Sequence, residues 1–355
     1  MRGRKKKRMS KKDKRFITIC MIFFVLCIAG IVVYFLYFNG EPIIKKKVEK
    51  RLTIVDEDSN KRPIAVMIDN NVGYNSHAGL QDSYINYEVI VEGGLTRIMA
   101  LFKDRNVDLI GPVRSSRHYF LDYALESDAI YAHYGWSDYA KNDIKVLGIN
   151  NINGLTDEAA YWRDKKLASP HNVFTNIDTL YKYADDNKGY DIETDDWKLL
   201  NYSADEINFK GPKVDEETGE TLEDPRTIAN SVSIKYSNFH TTGYDYDTQN
   251  KYYLRTMDGN SHNDKTTGKQ LHYKNIIIEK VKNRSLDSYG RQDLDTVGDG
   301  EGYYITNGYA LPITWEKVDR DSKTIYKYLD GTKVRVNDGN TFIQIVPITT
   351  TPEFS

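Results

Sequence analysis

Residues Glu88–Trp136 read EVIVEGGLTRIMALFKDRNVDLIGPVRSSRHYFLDYALESDAIYAHYGW, the densest apolar sequence outside the N-terminal segment. Within it, Val107–Val113 has the composition of a short strand, and Pro112 marks an edge or the strand's end. Tyr119, Phe120, Tyr123 and Ala124 recur at helical spacing, so Ser115 or Ser116 is placed to cap a helix over 116–126. Arg114 and Arg117 bracket these serines at the strand-to-helix junction. A helix N-terminus offers free N–H groups and partial positive charge, so two arginines and two serines there fit an anion site. The same arginines equally fit structural ties to Glu88, Glu92 or Asp122.

Outward from this stretch, strands and helices alternate. Pro63–Ile68 reads as a strand, followed by the turn-forming Asp69-Asn70-Asn71. Gln81–Val91 carries Ile85 and Val89 at helical spacing, and Gly93-Gly94 ends it. Leu95–Lys103 is apolar enough for a central strand, and Ala129–Tyr134 is another. Helices are expected over Ser137–Leu147 and Thr175–Ala184. The alternation predicts an α/β domain over 62–185. Residues 186–226, with DDNKGYDIETDDW and GPKVDEETGETLEDPR, form an acidic connecting region. From 227 to 355 the pattern turns to strands, with SVSIKY, YYLRTM, IIIEKV, a tight hairpin at Asp330-Gly331 and a last strand TFIQIVP. The expected fold is therefore an α/β N-terminal domain followed by a mainly β C-terminal domain.

RPIAVMIDN (62–70), YEVIVEGGLTRIMALF (87–102), IGPVRSSRHYFLDYA (110–124) and YWRDKKLASPHN (161–172) resemble the YerB-like family of extracytoplasmic bacterial proteins. TGYDYDTQNKYYLRTMDGNSHND (242–264) resembles that family's second module. The resemblance spans nearly all of the chain beyond its N-terminal segment and implies architecture and location. It implies no reaction, because the family's domains have no assigned function.

Residues 1–15 hold ten Lys or Arg against one Asp, a net +9, which leaves −11 for the rest of a chain whose total is −2. Phe16–Phe38 carries no charge over a length sufficient to cross a bilayer, and no small-residue cleavage site follows it. This predicts a single uncleaved transmembrane helix with a cytoplasmic basic tail, a spacer over 39–61 and the remainder outside the cell. Family members anchored by lipid need a small residue before the modified cysteine, whereas Cys20 follows Ile19 and Cys27 follows Leu26. Both cysteines lie in the anchor, so the remainder has neither disulfides nor thiolate metal sites. Its acidic balance argues against a nucleic-acid partner and against broad capture of anionic polymers, leaving room only for a local basic cleft.

Nucleophile-elbow, phosphate-loop, zinc-protease and calcium-loop motifs are absent. The candidate ligand-binding residues are Asp69, Asn70, Arg114, Ser115, Ser116, Arg117, His133 and His171. If their strands are parallel, these residues fall at one sheet edge, the usual place for ligands in open α/β sheets. Arg255, His262, Asp264 and Asn275 form a second candidate group. Only His262, Asp264, Asp258 and His272 are available to a metal, which needs two or three ligands at defined geometry, and DGNSHND is also ordinary loop sequence, so no metal and no cofactor are expected. With 27 tyrosines, aromatic contact surfaces are available. Two functions follow as expectations. The first is a membrane-anchored envelope protein that binds a cell-wall polymer, a glycan or an envelope protein. The second is an enzyme acting on a phosphate-containing wall precursor, with Arg114 and Arg117 on phosphate and Asp69 or His133 as base.

Overall fold

The computed structural model describes residues 9–35, 50–209 and 225–355. The end of the expected anchor beyond residue 35, the spacer up to residue 49 and residues 210–224 of the connecting region lie outside the described residues. The first unit contains helix α1, Lys11–Tyr34, whose N-terminus is closed by reciprocal bonds between Ser10 and Asp13. Its mean hydropathy over 18 residues is 3.0, with no residue buried, and its length suffices to cross a membrane.

Residues 51–355 form one compact unit. Its principal strands and helices are β1 (Ile64–Asp69), β2 (Ile85–Ile90), β3 (Thr96–Phe102), α2 (His118–Leu125), β4 (Ile130–His133), α3 (Asp138–Val146), β5 (Asn151–Asn153) and α4 (Ile177–Tyr183). In the C-terminal part they are β6 (Ser231–Lys235), β7 (Thr241–Asp247), β8 (Tyr252–Met257), β9 (Asn275–Val281), β10 (Gly298–Thr306), β11 (Tyr309–Lys317), β12 (Ile325–Tyr328) and β13 (Thr341–Pro347). An 11-stranded mixed sheet runs β12-β11-β10-β9-β13-β2-β3-β1-β4-β5, with Thr227–Ile228 added beside β11. The parallel pair β13–β2 joins the two halves, with Ile85 opposite Thr341 and Val89 opposite Ile345. The separation expected at residues 186–226 therefore divides the sequence but not the folded body: the central strands of both halves bury their edges in each other.

Gln81–Val91 corrects the helical reading. Residues 85–90 are a strand buried along its whole length, because a central strand covered on both faces accepts apolar residues at any spacing. Val107–Val113 is extended but makes single bridges, through Ile110 to Thr175, Gly111 to Ala78 and Val113 to Ile68. Pro112, which has no N–H to donate, interrupts any ladder there. Arg117 itself, not a serine, occupies the N-cap of α2. The expected turn at Asp330-Gly331 is present, with the Gly331 amide bonded to the Tyr328 carbonyl.

Strand alternation gives the sheet two different faces. Asp69, Arg97, Val89, Ile345 and Glu279 are register partners across β1, β3, β2, β13 and β9, so they share the face on which α2 packs. Their neighbours in the next row, Ile68, Ile98, Glu88, Gln344 and Ile278, point the other way. A smaller sheet built on β6, β7 and β8 covers that second face: Tyr236 donates to the Gln344 side chain, which in turn donates to Tyr244.

Candidate functional site

The end of β1 brings polar groups to both faces. On the α2 face, the Asp69 carboxylate receives the His171 Nδ1 proton at 2.5 Å and the Asn71 amide at 3.0 Å. Arg114 Nε lies 3.1 Å from the same carboxylate. Asp69 is almost wholly buried, whereas Arg114 and His171 are partly exposed. The Arg114 amide bonds the Met67 carbonyl, which carries the chain past β1 and sets this pairing. Arg117 clasps Glu92 with two nitrogens, at 2.6 and 2.9 Å. Between them lies Arg97, 6% exposed, which donates to the Ser115 carbonyl at 2.6 Å. Its Nε has no partner. Burial, reinforced by Arg117 and Arg114, lowers its guanidinium to about 10.

On the other face, Asn70 and Thr96 donate to Glu88 Oε1 at 2.9 and 2.7 Å. His240 Nε2 lies 2.6 Å from that oxygen, and Arg255 and Thr242 donate to Oε2. Burial favours the neutral carboxyl, but Arg255, His240 and Thr96 outweigh it and hold Glu88 well below the usual carboxylate range. Arg255 also donates to His262 Nδ1. His262 Nε2 is 2.8 Å from His77 Nδ1, and His77 Nε2 is 2.5 Å from the Asp69 carbonyl oxygen. That oxygen can only accept, so each link donates in one direction, from Arg255 through both rings to Asp69. Both imidazoles are then neutral. Burial agrees, lowering His77 to about 4 and His262 well below its ordinary value.

The structure thus gathers Asp69, Arg114 and His171 at one point, with Ser115 tied to Arg97 through its carbonyl and Arg117 held separately by Glu92. Asn70, Arg255 and His262 meet on the opposite face. Asp264 stands at their margin, accepting from the Gly79, Thr266 and Thr267 amides. Three candidates are corrected. His133 is fully buried, with Nδ1 2.7 Å from the Gly135 carbonyl and Nε2 3.2 Å from Asn151, which leaves no nitrogen for a cleft. Ser116 accepts from the Tyr131 hydroxyl inside the core. Asn275 is elsewhere, bonded to Tyr304, Asn337 and Thr341. Among the described residues no group of three His, Cys, Asp or Glu side chains could hold a metal ion. Sequence reasoning passed over Arg97 and misassigned Glu88. Their signal was a charge inside an otherwise apolar central strand, which must be matched or functional.

A groove of about 430 Å³ adjoins the arginines, lined by Glu92, Arg117, Trp136, Ser137, Asp138, Tyr289 and Arg291. Its two ends come from the two halves of the chain. Tyr289 is 82% exposed, and Arg291 lies over the rings of Tyr139 and Tyr289, 5.7 and 5.8 Å from their centres.

Two family models match the chain. Residues 52–191 match "Protein of unknown function (DUF3048) N-terminal domain" and 232–343 match its C-terminal domain. A relative in Bacillus subtilis (strain 168), described as "Putative lipoprotein YerB", is 29% identical over 341 residues, covering 94% of this chain and 96% of its own. The chain belongs to the YerB-like family. The crystal structure of the Bacillus subtilis YerB protein superimposes with a TM-score of 0.69 at 28% identity, covering 82% of this chain and 94% of that one. The chain is accordingly an apolar N-terminal helix followed in sequence by a strand-rich body of two family modules. That helix and the lipoprotein relative assign the chain to a membrane.

Proposed function

We propose that this protein is an envelope protein that works by binding, and that it holds a saccharide chain in the groove between Trp136 and Tyr289. The anchor would be single-pass with its basic tail in the cytoplasm, as the positive-inside rule favours, and the body would face outward. The observation that carries the reading is the exposed Tyr289 ring facing a groove with paired charges. Aromatic faces cover the apolar side of a sugar, and Arg117 and Glu92, clasped to each other, supply fixed donors and acceptors beside it, with Arg291 and the exposed Asp138 adding charge at the other end. A larger hollow of about 720 Å³ at Lys235–Phe239 offers a single exposed ring and no arginine. The catalytic alternative gains less support because neither candidate base is free: His133 is enclosed with both nitrogens engaged, and Asp69 is buried against Arg114 and His171.

Titrating the full chain in detergent with an N-acetylglucosamine tetramer tests the reading. Saturable binding is expected, and Tyr289→Ala should weaken it about tenfold or more without lowering the melting temperature. Unchanged affinity in Tyr289→Ala, or no saturable binding, would overturn the groove as the site.

A further inference from the structure

We propose that Arg97, Arg114 and Arg117 form a subsite for one negative charge on the bound chain, a phosphodiester or carboxylate carried by the polymer. The inference rests on the saccharide reading for the occupant and on the arginine cluster for the charge. Three arginines among the described residues are buried: Arg62, Arg97 and Arg255. Arg62 is paired with Asp128 and Arg255 with Glu88. Arg97 has no ion pair and an unpartnered Nε. The cluster therefore contains three guanidinium groups against the carboxylates of Asp69 and Glu92, one negative charge short.

A buried cation without a counter-charge is costly to hold. An anion arriving from the groove would supply what the protein leaves out, and forked guanidinium donors match both phosphodiester and carboxylate oxygens. Arg117 joins the two places, since it lines the groove and its charge weighs more on Arg97 than that of Arg114. It is also the N-cap of α2, where no side chain caps the helix and no acidic residue sits in the first turn. The helix dipole thus adds to the cluster's positive field instead of being cancelled. The surrounding body is acidic, so this attraction is local and would read charge on one unit of a chain.

The test compares three probes on the full chain at fixed ionic strength: a neutral N-acetylglucosamine tetramer, a tetragalacturonate and a poly(glycerol phosphate). At least one charged probe should bind about tenfold or more tighter than the neutral one, the worth of a charge-assisted hydrogen bond. The two charged probes tell carboxylate from phosphodiester. Arg97→Gln should erase that advantage while leaving neutral binding intact, and should melt no lower than the wild type, because it removes an unmatched charge. Arg97→Lys, which keeps the charge without the fork, should retain part of the advantage and answers the question if the glutamine variant fails to fold. Equal binding of neutral and charged probes overturns the subsite and spares the groove. A charge advantage that survives Arg97→Gln, or that Arg97→Lys leaves untouched, overturns the subsite too. Charged binding that needs Arg97 but ignores Tyr289→Ala keeps the subsite and overturns the groove. Failure of all three probes overturns both.

Discussion

Replacing Arg255 with methionine is expected to lower stability by about 3–5 kcal/mol, the cost of leaving one member of a buried ion pair alone. Glu88 would lose its 2.8 Å partner in a place no water reaches, and His262 Nδ1 would lose its donor. The residual bonds from Thr242, Asn70 and Thr96 are neutral, which leaves His240, 2.6 Å from Oε1, as the one remaining ionisable partner. Denaturant unfolding of the full chain in detergent measures the loss. The double variant Arg255→Met with Glu88→Gln should recover much of it, since the stranded charge is then gone. A single-variant loss under about 1 kcal/mol would show that Glu88 is held by His240 alone. The pair's pH signature has a definite sign. The Glu88 carboxyl is depressed in the fold, so its contribution is complete above the ordinary carboxylate range and drains away as pH falls below about 4.5.

Glu279 behaves in the opposite sense. It sits fully buried on the α2 face, accepting from Tyr123 at 2.9 Å and Tyr326 at 2.8 Å. Burial, with Glu126 nearby, pushes its carboxyl up to about 7 despite the tyrosine donors. A raised folded value means that the stabilising contribution is complete below about pH 4.5 and is lost as pH rises through 7. At pH 8 the wild type must ionise this group inside the core, at about 3 kcal/mol. Glu279→Gln, which mimics the protonated form, should therefore be more stable than the wild type by about that amount at pH 8. The difference should shrink toward pH 5 and disappear below 4.5. Parallel stability curves for the two proteins from pH 4 to 8 would contradict this.

Much of the fold was legible because local signals and tertiary need agreed. Leu95–Lys103 had to be central by composition, and the helix expected over Ser137–Leu147 forms at 138–146, with the Ser137 hydroxyl accepting from the Ala140 amide at its start. Asp69 and Arg114 meet, but not as the ends of parallel strands: the segment before Arg114 lies outside the ladder and touches β1 through one antiparallel bridge, Val113 to Ile68. What sequence could not carry was pairing between distant segments. Nothing in TFIQIVP indicates that it lies beside Ile85–Ile90, and that contact turns two modules into one sheet. The same limit hid the second sheet's role: DGNSHND reads as a loop, yet His262 completes a buried chain begun by His77. Arg97 was passed over for a related reason. A charge within an apolar run looks like a break in the pattern until its neighbours across the strands are known.

Both the buried Glu88–Arg255 pair and the proposed binding groove depend on the two family modules forming a single body. Scanning calorimetry of the full chain tests this directly. One cooperative transition is expected for residues 51–355, with the calorimetric enthalpy equal to the van't Hoff enthalpy. Two resolved transitions, one for each module, would contradict it.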